Sequence, residues 1–167
     1  MMVVKIGGAD GNDADNVLVD LARRKDYVLV HGGSKEVDRL AEALGRPPRF
    51  LTSPSGVVSR YTDEETMEVF TMALAGKMNT QLVARLQALG ARAIGLSGVD
   101  GGLLLGRRKA AVRAVDGGRV LLVKDDRSGT LEDVNDDLIR LLLSNGYVPV
   151  ISPPGVTPDG ELINVDA

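Results

Sequence analysis

The chain has 167 residues, of which 44% are apolar and only 3% aromatic, and it carries a net charge of −3. That length supports one domain with a real core. With no Trp and only Phe50 and Phe70, the core must be built from Val, Leu, Ile and Ala. The acidic balance argues against general nucleic-acid binding. The absence of cysteine excludes disulfides and thiolate metal sites, and one histidine leaves little for zinc. No apolar run approaches a membrane span and the N-terminus lacks a secretory hydrophobic region, so a cytoplasmic protein that engages neither membrane nor nucleic acid is expected.

Met2 to Ile6 reads as a short apolar strand that runs into Gly7-Gly8. Asp13 to Lys25 has apolar residues at 14, 17, 18, 21 and 22, a helical spacing with basic residues in its last turn. Tyr27 to Val30 is a second buried strand, ending at His31-Gly32-Gly33. Ser34 then opens a helix with Val37, Leu40, Ala41 and Leu44 on one face, stopped by Gly45. Strand, glycine turn and helix, twice over, is the pattern of a parallel α/β sheet.

Arg46 to Arg60, broken by Pro47, Pro48, Pro54 and Gly56, is expected to be irregular. Thr62-Asp63-Glu64-Glu65 reads as a helix start, with Thr62 as N-cap and Glu65 at the capping-box position. That helix runs through Met67, Val69, Phe70 and Leu74, and a further amphipathic helix spans Met78 to Leu89. Ala91 to Leu96 is a third strand. Gly98 to Lys124 turns to short strands, with Asp116-Gly117-Gly118 between Val-rich runs as a hairpin signal. Asp133 to Asn145 is expected to be a helix and Tyr147 to Ile151 a fourth parallel strand, before Pro153, Pro154, Gly155 and Pro158 force a loop ahead of Leu162-Ile163-Asn164.

Lys5 is the odd residue of its strand. An edge lysine snorkelling to water is the plain explanation. The functional one is a cation at the carboxyl end of a parallel strand, where open α/β sheets bind ligands, placed to neutralise a transferring phosphoryl group. Gly7 and Gly8 would let the backbone approach phosphate oxygens. The turn at His31-Gly32-Gly33-Ser34 lies at the equivalent end of the next strand, so two anion-binding turns would sit side by side. Neither turn spells a Walker or dinucleotide motif. Arg60, before a helix start, is either a solvated loop residue or a bidentate clamp for a substrate carboxylate.

Together, Val3-Val4-Lys5-Ile6-Gly7-Gly8, Val30-His31-Gly32-Gly33, Arg60 to Val69 and Ile163-Asn164-Val165-Asp166-Ala167 closely resemble the N-acetylglutamate kinase branch of the amino-acid kinase family, in order and spacing, along the whole chain. The resemblance implies a three-layer αβα sandwich with a mainly parallel central sheet and a β-hairpin excursion. It implies transfer of the γ-phosphate of ATP, carried with Mg2+, to a side-chain carboxylate. Lys5 would stabilise the transition state, Gly7 and Gly8 would bind the phosphoryl group, and Gly32, Gly33, Ser34, Arg60 and Asn164 would hold the acceptor. Protein side chains would supply no metal ligand, and a homodimer is the family expectation.

Arg46 to Gly56 with Val58-Ser59-Arg60, and Gly95 to Gly101 with Gly106-Arg107-Arg108-Lys109, look more specialised. They are similar to kinases of lysine biosynthesis that act on aminoadipate joined to a small acidic amino-group carrier protein. Ser34 fits, since N-acetylglutamate kinases usually show a third glycine there. Arg107, Arg108 and Lys109 would dock the carrier, although a solvated face explains such charges more cheaply. Carrier-linked glutamate and free N-acetylglutamate, both of arginine biosynthesis, are the rival acceptors, and a non-catalytic binding module is the alternative outside enzymes. The resemblance implies that 1–167 is the N-terminal acyl-substrate lobe, with the nucleotide-binding lobe lying outside the chain.

Overall fold

The computed structural model describes residues 1–7 and 14–165. In chain order it places β1 (Met2–Ile6), α1 (Ala14–Ala22), β2 (Tyr27–His31), α2 (Ser34–Ala43), β3 (Phe50–Thr52), β4 (Val58–Arg60), α3 (Glu64–Thr71), a π-helical segment (Met72–Met78) and α4 (Asn79–Ala88). There follow β5 (Ala93–Ser97), β6 (Leu104–Arg108), β7 (Val112–Asp116), β8 (Arg119–Val123), β9 (Gly129–Val134), α5 (Asp136–Ser144), β10 (Val148–Ser152), β11 (Gly155–Val156) and β12 (Leu162–Ile163).

The central sheet has the order β1-β2-β10-β5, and every pairing in it is parallel. Strand alternation decides what each face buries. Tyr27 and Leu29 of β2, with Val148 and Val150 of β10, pack under Leu18 and Leu21 of α1 and Leu86 of α4. The intervening Val28 and Ile151 face the other way and meet Ile139 of α5. Helices therefore cover both faces, as the three-layer expectation requires. A third cluster joins Val37 and Ala41 of α2 to Met67, Phe70 and Leu74. A mixed sheet, β12-β11-β6-β9, lies beyond the carboxyl ends of the central strands, and β3-β4 and β7-β8 form two further hairpins that touch through β3 and β7.

The hairpin expected at Asp116-Gly117-Gly118 is present, and both glycines have positive φ (53° and 77°), the conformation a two-residue turn of this hand demands. Several local expectations need correction. Arg46 to Arg60 contains an antiparallel hairpin, because Phe50, Leu51 and Thr52 pair with Arg60, Ser59 and Val58 around a turn at Gly56. The N-cap of α3 is Asp63, whose carboxylate accepts from the Thr66 amide at 2.9 Å. Thr62 is fully buried and hydrogen-bonds elsewhere. The two helices expected from Thr62 to Leu89 are one rod, joined through the π-helical segment. The last helix begins at Asp136, capped by Asn135, because 129–134 is drawn into pairing with β6.

Candidate active site

Gly7 and Gly32 meet because β1 and β2 run parallel with Ile6 opposite His31, and the Gly32 amide donates to Ile6 O at 2.9 Å. This brings the two glycine turns to one edge of the sheet. A cleft of about 530 Å³ opens there, lined by Lys5, Gly7, Gly32, Gly33, Ser34, Arg60, Lys109 and Asn164, among others. Among the described residues its cations are Lys5, Arg60 and Lys109, and no carboxylate lines it. Such a lining favours an anion. Apolar walls come from Phe50, Val57 and Val58 on one hairpin, Val112 on the other, and Phe70 and Leu74 beneath.

Lys5 stands on edge strand β1 opposite Val30, exposed, and makes no ion pair among the described residues. Gly8 lies outside the described residues. Gly33 is pressed against the helical rod: a Cβ there would fall 2.1 Å from Met78 Sδ and 2.7 Å from Leu74 Cδ2. Only glycine allows that approach. Gly33 is also the N-cap of α2 and offers no side-chain cap, so the first turn of that helix starts with its amides at the cleft.

Arg60 is nearly buried, its side chain 9% exposed. It pairs with Asp38 of α2, donates to Ser34 O at 3.1 Å and lies 5.3 Å from the Phe50 ring centroid. This arginine is thus a positioned cation and not a solvated loop residue. Asp38 is a site neighbour that the sequence did not reveal. Asn164 is held too. Its amide donates to Thr62 Oγ1 at 3.0 Å, and that hydroxyl donates to Arg60 O at 3.3 Å. Beneath them Asp126, 2% exposed, accepts from the amides of Thr62 (3.0 Å) and Ser128 (2.8 Å). A buried carboxylate satisfied by backbone amides ties the segment after β8 to the start of α3. Beside it Tyr61 donates to Asp125, and burial with that carboxylate pushes the phenol up to about 12.

The Arg107-Arg108-Lys109 triplet is divided. Arg107 points to solvent and pairs with Glu132 at 2.8 Å. Arg108 is an internal brace: it donates to Glu161 at 2.6 Å, to Asp126 O at 3.0 Å and to Lys124 O at 2.8 Å. Lys109 alone of the three lines the cleft. Successive residues of a strand face opposite ways, so Arg107 and Arg108, adjacent on β6, do not share a patch. Among the described residues no group of three or more metal-ligating side chains occurs, and no helix is long and apolar enough to cross a membrane.

The floor of the site rests on a contact that leaves no trace in the sequence, between residues 48 positions apart. His31, wholly buried, places Nδ1 at 3.0 Å from Gly32 O and Nε2 at 3.2 Å from the Asn79 amide nitrogen, which also donates to Val150 O at 2.9 Å. Burial holds the imidazole below its usual range, partly opposed by the bond to Gly32.

The sequence profile of the amino acid kinase family matches residues 1–167. The chain is 54% identical over 99% of its length to a LysW-aminoadipate kinase of Deinococcus radiodurans, spanning 58% of that protein. It is 51% identical to a LysW-aminoadipate kinase of Thermus thermophilus, again over 99% of the chain and 63% of the relative. An acetylglutamate kinase of Methanopyrus kandleri is 44% identical over the entire chain, which spans 63% of it. Among solved structures, a Streptococcus mutans protein superposes with a TM-score of 0.71 at 20% identity, over 98% of this chain and 62% of the other, a likeness of fold.

Proposed function

The chain belongs to the amino acid kinase family, and on that premise we propose that it forms the acyl-acceptor lobe of a kinase that phosphorylates the side-chain carboxylate of aminoadipate attached to a small carrier protein. The carrying observation is the convergence of Lys5, the Gly32-Gly33 turn and Arg60 on one cation-lined cleft at the carboxyl ends of β1 and β2. The names of the two relatives above 50% identity support the choice of acceptor.

In this reading a carboxylate oxygen of the acceptor attacks the γ-phosphorus of ATP. An O–P bond forms, the bond to the β-phosphate oxygen breaks, and the electron pair leaves on ADP. The transferring group carries charge on three equatorial oxygens, so catalysis is positioning and electrostatic stabilisation. Lys5 supplies a cation on the in-flight group, and amides of the glycine turns supply hydrogen bonds. Arg60, already oriented by Asp38 and Ser34 O, holds the acceptor end remote from the reaction. Mg2+ would arrive on the nucleotide phosphates, and the nucleotide's own lobe would lie outside the chain. Lys109 at the cleft mouth would meet the acidic carrier.

Free N-acetylglutamate is the second reading, favoured by the Methanopyrus kandleri relative. One methylene of acceptor length is worth only about 1–3 kcal/mol of discrimination. The test is acyl-phosphate formation from MgATP by the complete gene product, with carrier-linked aminoadipate, carrier-linked glutamate and free N-acetylglutamate, from 0.1 to 1 M salt. Turnover of the carrier-linked acceptor that falls steeply is expected, as the Debye length shrinks from about 10 Å to about 3 Å. Efficient, salt-insensitive turnover of the free acceptor alone would promote the second reading.

A further inference from the structure

Gly32 is gripped at both ends of its backbone. Its amide donates to Ile6 O, and its carbonyl faces Nδ1 of His31. A trans peptide points its C=O and the following N–H in opposite directions. Whatever holds Gly32 O therefore aims the Gly33 N–H the other way, toward the cleft that Gly33 lines. That N–H has no partner among the described residues.

The grip has a defined polarity. Gly32 O and Val150 O, at the two ends of the chain of contacts, can only accept. Val150 O therefore takes a proton from the Asn79 amide nitrogen, whose second proton points at His31 Nε2. Nε2 must be the bare nitrogen, and Nδ1 must carry the proton it donates to Gly32 O. The helical rod supplies the asparagine. Hydrogen bonding from i to i+5 in the π-helical segment stacks Leu74 over Asn79, so Leu74 packs on Gly33 while Asn79 reaches His31. Gly95 of β5 makes room: a Cβ there would sit 2.0 Å from Asn79 Oδ1.

We infer that His31 and Asn79 are positioning residues that lock the Gly32-Gly33 peptide with its N–H turned into the cleft, as a fixed donor to the phosphoryl or carboxylate oxygens bound there. The inference rests on the anion-binding reading of the cleft. His31 touches no substrate; it acts through the peptide.

The experiment uses the single histidine. Long-range 1H–15N spectra of the unmodified protein should show the Nδ1–H tautomer, and the Nε2–H tautomer would overturn the relay. Inorganic phosphate is then titrated while the Gly33 amide is followed. His31→Asn keeps a donor at the Nδ1 position and should retain the Gly33 response. His31→Gln places its amide at the Nε2 position, and should weaken phosphate binding about tenfold or more, the consequence of losing a hydrogen bond to a charged group. If phosphate leaves Gly33 unmoved in the unmodified protein, the anion site itself is wrong. If Gly33 responds equally in all three proteins, the site stands and the positioning role falls.

Discussion

Placing a methyl group on Gly95 should unfasten the floor of the site from the far side of the sheet. In Gly95→Ala the new carbon would lie 2.0 Å from Asn79 Oδ1 and 3.1 Å from Val83 Cγ2. The valine contact can relax by a few tenths of an ångström; the asparagine cannot stay. Asn79 is 5% exposed, so its displaced amide has no water to turn to. Two hydrogen bonds are lost, to His31 and to Val150 O, at about 0.5 kcal/mol net each, and a stranded polar group adds about 1–3 kcal/mol, so a loss of about 2–4 kcal/mol is expected. For a domain of this size that lowers Tm by roughly 4–16 °C. The decisive measurement is a double-mutant cycle by denaturant unfolding. In an Asn79→Ala background the same methyl should cost under about 1 kcal/mol, giving coupling of about 1–3 kcal/mol. Strict additivity, or a stable Gly95→Ala protein with an unchanged imidazole spectrum, would refute the contact.

Lys5→Ala in the complete gene product should lower kcat by roughly 10²–10³ with little change in KM, and an intact unfolding curve, since the side chain is exposed; retained turnover would remove Lys5 from the chemistry. Arg60→Lys should raise KM for the acceptor and spare ATP, because one ammonium cannot span Asp38, Ser34 O and a ligand carboxylate as the planar fork does; equal damage to both substrates would mark a structural arginine. Tyr27→Phe should leave stability unchanged or raise it by about 1 kcal/mol, because the buried Tyr27 hydroxyl lacks a partner among the described residues; a clear loss in thermal unfolding would contradict this. Burial depresses the His31 pKa, so the unfolded chain binds a proton near 6.5 that the native protein refuses. Its contribution to stability is complete above that value and declines as pH falls below it, at up to roughly 1.4 kcal/mol per pH unit. His31→Asn should flatten that decline, as read from urea midpoints across pH 5–8.

The parallel sheet and the adjacency of the two glycine turns were legible in the chain itself. Strand, Gly-Gly and helix recur locally, and the handedness and parallel pairing of such units leave one edge for both turns. The Asp116-Gly117-Gly118 hairpin was equally legible, because positive φ at two successive residues is a local demand that glycine meets cheaply. What the tertiary structure decided are contacts between distant residues, each with no local trace. Arg60 finds Asp38 across 22 positions, His31 finds Asn79 across 48, Thr62 finds Asp126 across 64 and Asn164 finds Thr62 across 102. The preference of Asp63 over Thr62 as N-cap belongs with these, since Thr62 is taken by a carboxylate from the far side of the domain. The rod from Glu64 to Ala88 reads as two helices because its apolar stripe slips phase near Met78. Only packing shows that a π turn absorbs the slip, putting Leu74 on one neighbour of the cleft and Asn79 on the other. A stripe has a period, but the partner that rewards a change of period is set by the fold.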